Sequence, residues 1–194
     1  MITKEKVRIF DHYSGDRDAF ILLSKDEDKT LFENDDWALI HTFYENIFSI
    51  NGRLTSEEFT KSLLKDLKAR CNEEAFYLLT SKINSYSDFQ KIADILKQIK
   101  AITHADADTI WAGFDNATLF LKDLDRDITG IQFCSFIRLE KINLEFLVTS
   151  TYQELSMSNG WGDHYLRLAE TFDQLYNRLT KKKLDNRPSS QVQP

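Results

Sequence analysis

His104-Ala105-Asp106-Ala107-Asp108 sets one imidazole and two carboxylates at alternate positions. In an extended segment all three would face one side and could offer three ligands to a divalent cation. An inter-helix loop uses the same residue types more plainly, with Asp106 or Asp108 capping the turn that follows. The loop reading is favoured. The chain has only 4 His, and no second cluster completes a coordination shell.

Asp123-Leu124-Asp125-Arg126-Asp127 opens like a calcium loop, with carboxylates at the first, third and fifth positions. The pattern then fails. Ile128 stands where the sharp turn needs glycine, and Cys134 stands where a bidentate glutamate is needed. Phe120, Leu124 and Ile128 draw an apolar helical stripe through the same segment, so these aspartates read as a helix face. Asp11, His12, Asp16 and Asp18 could serve acid–base chemistry only inside a pocket that shifts a carboxylate, and the sequence reads there as a surface turn.

The most distinctive stretch runs from Thr149 to His164. It gathers hydrogen-bonding side chains, Tyr152, Trp161 and the paired Gly160 and Gly162 just ahead of a helix. Glycines on both sides of Trp161 allow a sharp turn that presents or buries the indole. A glycine-rich loop before a helix can cradle an anion, but no phosphate-loop or dinucleotide pattern is present. The same holds for the serine-hydrolase elbow and the zinc-protease helix.

Helices must position these groups. The 194 residues contain 6 Gly and 2 Pro, too few for the many turns of a β-protein. Hydrophobic residues at 42% and aromatic residues at 12% can fill one large core. Trp37, Ile40, Tyr44, Ile47 and Phe48 mark one helix opened by Asn34, and Asn51-Gly52 ends it. Thr55 with Glu58 reads as a capping box for a second helix. Asn72 caps a third, Ser87 with Gln90 a fourth, and Asn116 a fifth. Residues 131–157 are drawn either as helix or, over 144–149, as strand. Tyr165, Phe172, Leu175 and Leu179 mark a long last helix, with Lys181, Lys182 and Lys183 at its C-terminal end.

Net charge is −6, with six basic and eleven acidic side chains in residues 1–50 alone. Nucleic acid is therefore not an expected partner. Cys71 and Cys134 lack metal or redox spacing and read as inert thiols in a reducing compartment. No apolar run approaches membrane-spanning length, so a cytoplasmic, membrane-free protein is expected.

The expectation is a mainly α, single helical domain over 1–184, with 185–194 as a flexible polar tail. A small strand pair is allowed near the N-terminus or around 144–149. The expected function is a non-enzymatic protein-binding module, one version being an immunity- or antitoxin-like inhibitor of a basic toxin or enzyme. Tyr152, Gln153, Glu154, Asn159, Trp161 and Asp163 are the expected contacts, with Asp35, Asp36, Asp123 and Asp127 on the rim. No catalytic residue, cofactor or metal is expected. Two alternatives stand beside this reading. One is a metal-assisted hydrolase using His104, Asp106 and Asp108, joined by His12 or His164. The other is a homo-oligomeric structural or regulatory protein pairing helices such as 37–48 across a two-fold axis.

Overall fold

A computed structural model of the chain describes residues 1–13, 34–47 and 57–185. Among them are eight helices and no sheet. They are α1 (Lys4–Tyr13), α2 (Asn34–Ile47), α3 (Glu57–Arg70), α4 (Glu73–Ile102), α5 (Ala117–Gln132), α6 (Phe136–Glu145), α7 (Thr151–Ser158) and α8 (Gly162–Asp185). The fold is a mainly α single domain.

Helix α4 is the axis of the molecule. It packs against α1, α3, α5 and α8, while α6 lies on α5 and α7 on α8. Its 30 residues contain neither Gly nor Pro. Asn72 opens it by accepting the Ala75 N–H at 2.8 Å, as the sequence suggested. The Ser87–Gln90 capping box is overturned, because α4 runs straight through it. Capping residues start a helix only where something ends the one before. Here Tyr86, Phe89, Ile92, Leu96 and Ile99 continue one buried stripe, leaving Ser87 exposed on the opposite side.

Neither strand alternative is present among the described residues. Lys6 to Phe10 lie inside α1, and the only β-type contact among the described residues is an isolated parallel bridge, Ile2 with Cys71. Residues 146–150 form a turn, with Thr149 at φ +59°. Val and Thr favour strands only where a neighbouring edge exists to pair with. A continuous helix over 131–146 is also overturned. Cys134 adopts φ +55° and Ser135 caps α6 through the Arg138 N–H, so the chain doubles back and lays α6 along α5. Gly130 permits this close approach. A Cβ there would lie 2.5 Å from Arg138 Cγ.

Aromatic rings run through a largely aliphatic core. Phe146 stacks on Phe172 with centroids 4.2 Å apart and meets Tyr152 at 4.8 Å, and Phe89 meets Phe136 edge-on at 5.1 Å. Lys82, fully buried, donates to the Cys134 carbonyl at 2.6 Å and sits near the Tyr44 and Phe136 rings. Asp11 and His12, read as part of a surface turn, instead lie in the last turn of α1. Residues 14–18, the helix stop at 51–52, Thr55 of the capping box and residues 186–194 lie outside the described residues.

Candidate functional site

Two regions concentrate chemistry, and the sequence picture had merged parts of both. The first is the seam between α5 and α6. Asp123 and Asp127 lie one turn apart on α5, and Lys141 and Glu145 lie one turn apart on α6, so antiparallel packing brings all four together. The Lys141 ammonium is 2.8 Å from Asp123, 2.6 Å from Asp127 and 2.9 Å from Glu145. Arg138 approaches Asp127 at 3.4 Å. Tyr152, from α7, lies buried beside the cluster, and Glu145 and Asp127 act on its hydroxyl.

Three carboxylates against two cations leave this seam with one excess negative charge. Asp127 is 1% exposed. Burial pushes its carboxyl up to about 6. Lys141 opposes the shift, and Glu145 and Asp123 reinforce it. Burial alone would lower the Lys141 ammonium, but Asp127, Asp123 and Glu145 outweigh it and raise it. Burial, then the nearby carboxylates, carry the Tyr152 hydroxyl well above its usual range. Among the described residues, one donor atom each from Asp123, Asp127 and Glu145 lie within 4.8 Å of one another, close enough to hold a cation. Lys141 already contacts all three and takes that place. The arrangement is an internal ion-pair network, and its chemical capacity is to take up a proton near Asp127.

The second region is one end of the bundle, where α4 and α6 finish, α5 and α8 begin, and α7 lies between. Asn159 ties it together: its amide accepts the Asp108 N–H at 2.9 Å and donates to the Asp108 carbonyl at 2.8 Å. Phe114, Phe120, Tyr152 and Phe146 form a chain of ring contacts beneath it. The Tyr165 hydroxyl donates to the Phe146 carbonyl at 2.9 Å.

Eight of the eleven exposed large apolar side chains among the described residues fall at this end: Ile110, Trp111, Leu119, Leu144, Leu147, Val148, Met157 and Leu166. Trp111 is 74% exposed and Val148 79%. The charges are as one-sided. Residues 101–121 and 142–166 contain six carboxylates and no lysine or arginine. Glu145 turns into the α5–α6 seam, leaving Asp106, Asp108, Asp115, Glu154 and Asp163 around the apolar surface.

A cleft of about 490 Å³ opens at the edge of this surface. Ala101, Ile102, His104, Asp106 and Ala107 line one side of it, with Asn159 and Trp161 across from them. Trp161 is half-buried against the core, and its indole nitrogen is enclosed without an acceptor among the described residues.

The residues expected from sequence to bind a partner are thus scattered by role. Asn159, Trp161, Glu154 and Asp163 do lie at this end. Gln153 is half-buried and its side chain accepts the Thr149 N–H at 2.7 Å, and Tyr152 is core, 1% exposed. Asp127 is buried, Asp123 half-buried, and both are committed to Lys141. Asp36 is buried against Arg70 at 2.9 Å and Lys6 at 3.4 Å, at the far side of α2, while Asp35 is exposed. Asp108 bonds its own turn through the Ile110 N–H at 3.1 Å, the capping role the loop reading gave it. The sequence reading missed Ile110, Trp111, Leu147 and Val148. The absence of lysine and arginine on both sides of them was the available signal.

No family model, curated protein or solved structure matches the chain. The class it can be assigned to is the one its fold defines, a mainly α single domain. None of its helices described is long and apolar enough to cross a membrane.

Proposed function

We propose that this protein is a non-enzymatic binding module that docks another protein on the acidic, apolar end of its helical bundle. An inhibitor of the immunity or antitoxin kind, covering a basic cleft on its target, is the version that fits best. The observation that carries the reading is the coincidence of exposed apolar side chains with two segments, 101–121 and 142–166, that carry carboxylates and no lysine or arginine. Apolar groups exposed together mark contact surfaces, and a surface of one sign speeds encounter with its opposite. The same charge argues against a second copy as occupant, since a two-fold contact would face carboxylate with carboxylate.

The proposed surface keeps Trp161 and Asp163 from the expected contacts. Trp111 stands in for the enclosed Tyr152 as an aromatic anchor, and Asp115 joins the rim where Asp123 and Asp127 are held by Lys141. A photo-crosslinking amino acid at position 111 or 148 should capture the same partner in source cells, and one at the exposed Lys65 on α3 should not. The captured protein should present a basic face, and Asp115→Lys with Asp163→Lys should slow association about tenfold at low salt. No shared adduct from 111 and 148, or an equal adduct from 65, overturns the reading.

A further inference from the structure

Helix α4 ends at the cleft, with Ala101 and Ile102 forming part of its lining. The C-terminus of a 30-residue helix carries partial negative charge on its last carbonyls. Lys100, the one basic residue in that last turn, is drawn sideways to Asp125 on α5. Asp106 adds a full negative charge to the same cleft, and its side chain is exposed. Trp161 on the opposite wall supplies an aromatic group of the kind that attracts cations. Asn159 fixes the spacing of the walls, because its amide bonds both backbone groups of Asp108 across the gap.

These features select a ligand group by chemistry. Helix-end carbonyls and a carboxylate are acceptors and want donors, and an indole favours a flat, weakly hydrated cation. A guanidinium offers five donors in a planar fork and stacks on aromatic rings, which an ammonium does not. We propose that the cleft between residues 101–107 and Asn159–Trp161 receives one arginine side chain of the docking partner. The proposal deepens the docking reading and rests on it for the partner, but the cleft can be tested separately.

The experiment is a heteronuclear NMR titration of the full chain with the blocked tripeptide Gly-Arg-Gly, and with its citrulline analogue, which keeps the shape and removes the charge. Saturable shifts of the Trp161 indole N–H and the Ala101, Ile102 and His104 amides are expected with the arginine peptide, with a Kd in the millimolar range (about 1–10 mM). Binding should weaken roughly fivefold or more with citrulline, and likewise in an Asp106→Asn variant. Equal shifts from both peptides, or silence at these four residues, overturn the cleft.

A parallel titration with a basic amphipathic Lys/Leu helical peptide reports on the wider surface through the Trp111 indole and the Val148 amide. Response there with a silent cleft upholds the docking end and overturns the arginine site. Response in the cleft alone upholds the site and overturns the docking end.

Discussion

At the scale of single residues, Asp127 is the group whose environment has the clearest thermodynamic consequence. Its carboxyl titrates near 6 in the folded chain against 3.8 ordinarily, with burial as the leading cause. A carboxyl raised on folding binds its proton more tightly in the folded state. Its contribution to stability is therefore fully present below about pH 3.8 and is lost as pH rises through about 6. Asp127→Asn carries no such dependence. The wild type should lose stability relative to this variant, on the order of 2 kcal/mol, between pH 4 and pH 7.5. Urea unfolding at the two pH values measures it, and parallel curves would refute it. Lys141→Ala acts in the opposite sense, leaving three carboxylates facing one another. It should cost roughly 2–4 kcal/mol at pH 7.5, because breaking an enclosed pair strands its charges. The cost should be smaller at pH 5, where Asp127 takes a proton.

Among the helices, the continuity of α4 separates a real cap from a residue that merely resembles one. Asn72→Ala removes an acceptor from the Ala75 N–H and should cost about 1 kcal/mol. Ser87→Ala, on the exposed face of the same helix, should be neutral or stabilising by a few tenths of a kcal/mol. Thermal melts of the two variants decide it, and equal losses would mean that α4 breaks at Ser87. Gly130→Ala tests the α5–α6 approach. Better helix propensity favours alanine by about 1 kcal/mol. The new Cβ, however, would force Arg138 out of its contact with Asp127, and overpacking of this kind costs about 1–3 kcal/mol. Net destabilisation is expected in the same melts, and a raised melting temperature would show that Arg138 moves freely.

For the whole molecule, the proposed docking role sets the acidic end two tasks at once. On that reading it offers a contact surface, and its carboxylates keep copies of the chain apart while the surface is open. Neutralising Asp106, Asp115 and Asp163 to asparagine should therefore increase self-association at low salt, with Trp111 and Val148 left to meet across copies. Light scattering over a concentration series measures this. A variant that stays at the wild-type mass would show that apolar area, and not charge, sets the assembly state.

Much of the helical architecture could be read along the chain, because helix starts and stripes are local. Asn72 and Asn116 cap the helices they were expected to cap, and the shortage of Gly and Pro already excluded a strand-rich fold. The one-sided charge of 101–121 and 142–166 was equally present in the sequence. Its meaning was not, because the two segments lie apart in the chain and meet only where α4 and α6 finish beside the starts of α5 and α8. Tertiary packing also decided which aspartates face solvent. Asp123 and Asp127 look like a solvated helix face until α6 brings Lys141 over them, and Tyr152 looks like a contact anchor until Phe146 and Phe120 enclose it. Burial depends on which elements become neighbours, and periodicity within one helix carries no information about the helix that will cover it.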